Sequence, residues 1–141
     1  MTTQDILDAI PHRQAMLLVD KVIEKDSEKI VCEKTFREDE FFFQGHYPGF
    51  AITPGVILCE CAVQAGAVLL SEKTADSSGV PVLTRMSDVR FKRMVRPGET
   101  ITSEITIDEV LANAFYCSAK VTCEGKLAAR FTFACTIAPK E

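Results

Sequence analysis

Pro54-Gly55-Val56-Ile57-Leu58-Cys59-Glu60-Cys61-Ala62-Val63-Gln64-Ala65-Gly66-Ala67-Val68-Leu69-Leu70 is the stretch on which the fold turns. From Gly55 to Leu70 nearly every residue is apolar or small, and only Glu60 and Gln64 are strongly polar. The run predicts a helix from Pro54 to about Glu72, with Pro54 in the first turn, where its missing N–H costs nothing. At 1.5 Å per residue such a helix is about 24 Å long, enough to cross a small domain. A helix apolar all round belongs inside a domain. Gly49 to Leu70 is also long enough to raise the question of a membrane span. Pro54, Glu60 and Gln64 argue against one, because a carboxylate in mid-bilayer is costly.

Before this helix, Thr3 to Ile10 reads as a short amphipathic helix stopped by Pro11, with Asp5 and Asp8 on its polar side. Leu17 to Ile23 and Lys29 to Phe36 read as strands separated by the polar stretch Glu24 to Glu28. Arg37 to Thr53, with the run Phe41-Phe42-Phe43, has no clean period and reads as a functional loop packed on the core. After the helix comes a polar connection, Lys73 to Gly79. Four strands then follow: Val80 to Met94, Thr100 to Leu111, Phe115 to Cys123 and Lys126 to Ala138. Turn residues separate them at Pro97-Gly98-Glu99, Ala112-Asn113-Ala114 and Glu124-Gly125. Short turns between successive strands imply an antiparallel meander. The expectation is an α+β fold, a curved six-stranded sheet wrapped round one long helix.

The bulk numbers agree with a soluble globular chain: 141 residues, 47% hydrophobic and 26% charged. A net charge of -4 opposes non-specific nucleic-acid binding, which needs a basic surface. The six cysteines form no C-x-x-C pair and no cysteine–histidine cluster at zinc spacing. The start MTTQDILDAI lacks a signal core. Reduced, buried cysteines in a cytoplasmic protein are expected.

Chemistry concentrates around the helix. Glu60 and Gln64 are four apart and share one face. An unpaired carboxylate there would be expensive, so Glu60 either has a structural partner or faces a cavity. Of the two histidines, His12 follows the proline that ends the first helix, where a turn hydrogen bond is its expected role. His46 lies in Gly45-His46-Tyr47-Pro48-Gly49, whose glycines and proline constrain the backbone and so aim the side chain. The helix start at Gly55 and Val56 offers free N–H groups at a positive dipole end, a place for an oxyanion. A near-neutral base, a carboxyl group in an apolar setting and an oxyanion donor are the three parts that elimination of water from a 3-hydroxyacyl thioester needs.

These residues resemble a known family. Phe42-Phe43-Gln44-Gly45-His46-Tyr47-Pro48-Gly49, then Pro54-Gly55-Val56-Ile57, then Glu60 with Gln64, are similar to the (3R)-3-hydroxyacyl-acyl-carrier-protein dehydratases of fatty-acid biosynthesis. So are Ile10-Pro11-His12-Arg13, Leu17-Leu18-Val19-Asp20-Lys21-Val22, and Phe91-Lys92-Arg93 with Val95 and Pro97-Gly98-Glu99. The resemblance spans Ile6 to the last strand. It implies a single hot-dog domain over residues 1–141, and a homodimer that can assemble into a hexamer. It implies that His46 of one subunit meets Glu60 of the other, that Gly55 and Val56 hold the thioester carbonyl, and that Gln64 orients Glu60 or a water. It implies no metal or organic cofactor, with the substrate carried on the phosphopantetheine of acyl carrier protein. Glutamate at position 60 favours the dehydratase branch over the dehydratase–isomerase branch, which carries aspartate.

The chain departs from that pattern at Gln14-Ala15-Met16, where Pro-Phe is usual, at Ala51 and Met94 in place of prolines, and at Cys59 and Cys61 beside Glu60. The basic residues Arg90, Lys92, Arg93 and Arg96 suggest a docking patch for the acidic carrier protein, with a solvated strand edge as the alternative. Two further functions stay open. A hot-dog acyl thioesterase is opposed by the Gly45–Gly49 loop. A non-catalytic acyl-binding protein is opposed by the retained His46 and Glu60.

Overall fold

The computed structural model describes residues 1–74 and 79–139, so the middle of the Lys73–Gly79 connection lies outside the described residues. The chain runs α1 (Thr3–Ala9), β1 (Lys21–Lys25), β2 (Lys29–Thr35), a 3-10 turn at Phe41–Phe43, α2 (Gly55–Ser71), β3 (Gly79–Phe91), β4 (Thr100–Leu111), β5 (Ala114–Cys123) and β6 (Lys126–Pro139). The strands form one six-stranded antiparallel sheet in the order β1-β2-β4-β5-β6-β3, with α2 packed against its inner face. This is the hot-dog arrangement expected from the sequence.

Local chemistry sets the element ends. Thr2 and Asp5 form a reciprocal capping box that starts α1. At its other end Arg13 donates to the carbonyls of Leu7, Ile10 and His12 at 3.0, 2.9 and 2.7 Å, satisfying acceptors that a helix terminus leaves open. Glu124 and Gly125, with φ of 53° and 75°, make the tight β5–β6 turn, whose left-handed pair matches strand twist.

Three expectations need correction. The first strand covers Lys21–Lys25 rather than Leu17 to Ile23, because Leu18 gives its N–H to the Gln64 side chain instead of to a ladder. Pro54 is not in the first helical turn; it is the extended cap residue (φ -57°, ψ 136°), and its carbonyl accepts from Ile57 and Leu58. The meander holds only for β4 to β6. Strand β3 pairs with β6 at the sheet edge, far from its sequence neighbour β4. The segment 92–99 carries the chain back across the sheet; Lys92 N–H reaches Ala128, and Gly98 N–H reaches Phe36.

The core fills the concave side of the sheet. Phe36, Leu58, Leu69, Leu70, Ile101, Ile105 and Val121 are fully buried there. Phe42 and Phe43 pack edge-on against Phe36, with centroids 5.9 and 6.3 Å away. Below them Lys34 and Glu40 form a buried ion pair at 2.7 Å, each about as hidden as the aliphatic core. The pair fastens β2 to the loop that leads to His46. Removing one partner of a buried pair strands the other charge, which costs about 3–5 kcal/mol. Glu40→Ala should therefore lower the urea midpoint by an amount equivalent to about 3–5 kcal/mol; a change below about 1 kcal/mol would show that Asp20, 3.7 Å from Lys34 Nζ, takes over the lysine's charge.

All six cysteines are free and buried. Burial pushes the Cys32 and Cys117 thiols up to about 12 and Cys135 up to about 11, and raises Cys61 further. Only thiolates react quickly. The native protein at pH 8 should resist a thiol reagent and react fully in guanidinium; rapid native labelling would contradict this packing.

Candidate active site

The loop between the 3-10 turn and α2 aims His46. Tyr47, Pro48, Gly49 and Phe50 form a turn closed by Phe50 N–H to Tyr47 O at 2.9 Å. Proline at its second place and Gly49 with φ +78° at its third fit a type II turn. Ile52 N–H reaches His46 O at 3.1 Å, and the His46 ring stacks on Tyr47 with centroids 4.4 Å apart. His46 Nδ1 donates to the Ile52 carbonyl at 3.0 Å. A proton held on Nδ1 leaves the Nε2 lone pair free to act as a base.

On α2, Gln64 is completely buried. Its Nε2 donates to Met16 O at 2.6 Å and to Glu60 Oε2 at 2.9 Å, and its Oε1 accepts from Leu18 N–H at 2.7 Å. One Gln64 N–H thus rests on the Glu60 carboxylate, one turn away on the same helix. Within the single chain Glu60 is part-buried, its side chain 31% exposed. The reason is geometric. Val56, 72% exposed, heads a stripe of α2 that runs on through Glu60, Val63 and Ala67, which are half-buried, Val63 and Ala67 lying against the edge of the core.

The helix start is tightly shaped. Gly55 and Val56 are in the first turn, where backbone N–H groups lack intrahelical acceptors. A Cβ on Gly55 would come within 2.8 Å of the Phe91 ring, so a side chain there would have to push the ring aside. Sequence reasoning did not single out Phe91, and the only signal was its place in the motif Phe91-Lys92-Arg93.

Not every expected site residue converges. Among the described residues, no ion pair or hydrogen bond joins His46 to Glu60 within one chain. Glu60 Oε2 instead faces His12 Nε2 at 3.7 Å, a neighbour the sequence did not suggest, because 48 residues separate the two. In the basic patch, Arg93 pairs with Glu99 at 3.3 Å and Glu124 at 3.2 Å. The Arg96 guanidinium lies 4.8 Å from the Phe50 ring centre, and Lys92 is exposed. The Arg96 backbone N–H, with help from Arg93, holds the Glu99 carboxyl below its usual range. Among the described residues no cluster of His, Cys, Asp and Glu is arranged to hold a metal, and no helix is long and apolar enough to cross a membrane.

Comparison with known proteins bears on this geometry. The FabA-like domain family matches residues 10–132. The chain is 40% identical to the 3-hydroxyacyl-[acyl-carrier-protein] dehydratase FabZ of Oenococcus oeni over 91% of this chain and 93% of that protein. It is 38% identical to the enzyme of the same name from Clostridium perfringens, over 91% of this chain and 92% of that one. Among solved structures, the dehydratase heterocomplex ApeI:P of Xenorhabdus doucetiae superposes with a TM-score of 0.79 at 17% identity, covering 96% of this chain and 91% of that one. A hypothetical thioesterase with coenzyme A from Streptococcus pneumoniae shares the fold with a TM-score of 0.64 at 9% identity, covering 86% and 90%. Sequence likeness of that extent places the chain in the 3-hydroxyacyl-[acyl-carrier-protein] dehydratase family, with a FabA-like domain as its body.

Proposed function

We propose that this protein dehydrates (3R)-3-hydroxyacyl-acyl-carrier-protein to the trans-2-enoyl thioester, in fatty-acid biosynthesis, at a site completed by two chains. The observation that carries the reading is the presence of a histidine with a fixed tautomer and a half-buried glutamate on α2 in a chain of this family.

The steps follow from the side chains. His46 Nε2 takes the proton from C2, and the electron pair becomes the C2–C3 double bond. The C3–O bond breaks as Glu60 gives its proton to the departing hydroxyl, which leaves as water. Gly55 and Val56 N–H groups hold the thioester oxygen while charge develops on it. These steps require no metal or organic cofactor. The acyl chain would lie along the apolar stripe of α2, and the carrier protein would meet Lys92 and Arg96, with Arg93 already engaged by its own acids.

A homodimer accounts for two otherwise unstable features. Val56 is exposed, and Glu60, Val63 and Ala67 behind it are only half-buried. Strand β3 is a 13-residue sheet edge carrying exposed Val82, Leu83, Met86, Val89 and Phe91. A long apolar edge of this kind calls for a partner strand. Pairing two such edges would extend the sheet and bring a partner's His46 to Glu60; trimers of dimers remain within the reading. The whole chain acts as one dehydratase domain, and free, buried cysteines support a cytoplasmic setting.

Incubation with 3-hydroxyacyl carrier protein, followed by mass, tests the reading. Loss of water is expected; release of free acid would point to a thioesterase, and no change to an acyl binder. His46→Ala should lose at least about 100-fold in kcat, the contribution of a positioned base, with the oligomer intact by sedimentation. Full activity in that variant, or in a wild-type protein that sediments as a monomer, would overturn the two-chain site.

A further inference from the structure

We infer that His12 is a positioning residue for Glu60, and that together with Gln64 it confines the acid's transferable proton to Oε1. The inference rests on the dehydratase reading above. It adds a residue that neither the motif chemistry nor the family's named activity assigns.

Both neighbours act on the same oxygen. Gln64 Nε2 donates to Glu60 Oε2 at 2.9 Å, and His12 Nε2 faces that same Oε2 at 3.7 Å, longer than a hydrogen bond but close enough for its N–H dipole to act on the carboxylate. No other hydrogen bond or ion pair involves the Glu60 carboxyl among the described residues, so Oε1 is left for substrate. An oxygen that faces two N–H donors is a poor place for a proton, since an O–H there would point into them.

The His12 tautomer follows from its surroundings. Its Nδ1 is buried and has no hydrogen-bond partner among the described residues. A proton there would be an orphaned buried donor, which is costly. The proton therefore sits on Nε2, facing Glu60.

The ring is held in place from its own segment. Pro11 precedes it, and Arg13 accounts for the carbonyls of Leu7, Ile10 and His12. The charged groups around it are few. Segment 10–13 contributes Arg13, turned to those carbonyls, and α2 contributes Glu60. Ala67 of α2 and Val80 and Pro81 of β3 line a small cavity beside the ring and carry no charge. In the two-chain site, a partner's His46 approaches Glu60 from the substrate side.

Two variants test this on the full protein with the 3-hydroxyacyl carrier-protein assay. His12→Leu removes the N–H, and His12→Gln supplies another. Misplacing a reacting group costs up to about 100-fold. His12→Leu should lower kcat by about tenfold to 100-fold with KM nearly unchanged. Loss of a donor to the carboxylate favours its protonated form, so the alkaline limb of the kcat profile, which requires a protonated acid, should move to higher pH. His12→Gln should restore most of the rate and return the limb.

A purely structural His12 would lower activity without moving the limb and would not be rescued by glutamine; that result overturns the inference, as does a His12→Leu enzyme with wild-type rate and profile. If His12→Leu does not fold, His12→Gln decides alone, since loss of its activity with an unchanged melting temperature also overturns the inference. Wild-type turnover in the same assay tests the parent reading separately. If wild type fails to release water, the dehydratase assignment falls, whatever the variants do.

Discussion

The amide of Gln64 makes three hydrogen bonds in the interior of an otherwise apolar helix: to Met16 O, to Leu18 N–H and to Glu60 Oε2. A buried primary amide left unsatisfied would cost on the order of a few kcal/mol, so each contact constrains the others. Both of its N–H donors are engaged, and its oxygen meets an N–H, which leaves one orientation of the amide. That orientation sets where the segment 16–18 enters β1, and it sets which way the Glu60 carboxyl points. Position 64 thus couples the path of the first fifth of the chain to the placement of the candidate acid.

The rest of the site extends from the same helix. Because α2 buries one side against the sheet, the opposite stripe from Val56 to Ala67 is only partly covered within the chain. The histidine side is built separately. The turn at Tyr47–Phe50 and the Ile52 carbonyl fix the His46 ring and its tautomer, with no contribution from α2 beyond its starting point. In the proposed two-chain site, dimerisation would remove apolar surface from water and place the acid and the base in one low-dielectric space.

Backbone accounting explains why the loop 37–53 can be irregular and still precise in its aim. Its anchors are few and strong. The buried Lys34–Glu40 pair holds its beginning, the Phe36–Phe42–Phe43 cluster packs its first turn, and Thr53 N–H to Val95 O at 2.7 Å holds its end. Glycine at position 55 completes the arrangement by letting the Phe91 ring lie against the first turn of α2.

Patterning in the sequence determined the element types, the central helix and five of the six strands to within a residue or two at most ends, because period and turn chemistry are local properties. It also determined the candidate base, acid and oxyanion donors, since an isolated polar pair in an apolar helix and a constrained histidine loop are visible without coordinates. What only the tertiary structure decided depends on contacts between residues far apart in the chain. The late start of β1 follows from a hydrogen bond between residues 18 and 64. The edge position of β3 follows from its register with β6. The buried partnership of Lys34 with Glu40 and the approach of His12 to Glu60 have no sequence period to announce them, because electrostatic and hydrogen-bond partners are chosen by three-dimensional proximity and desolvation.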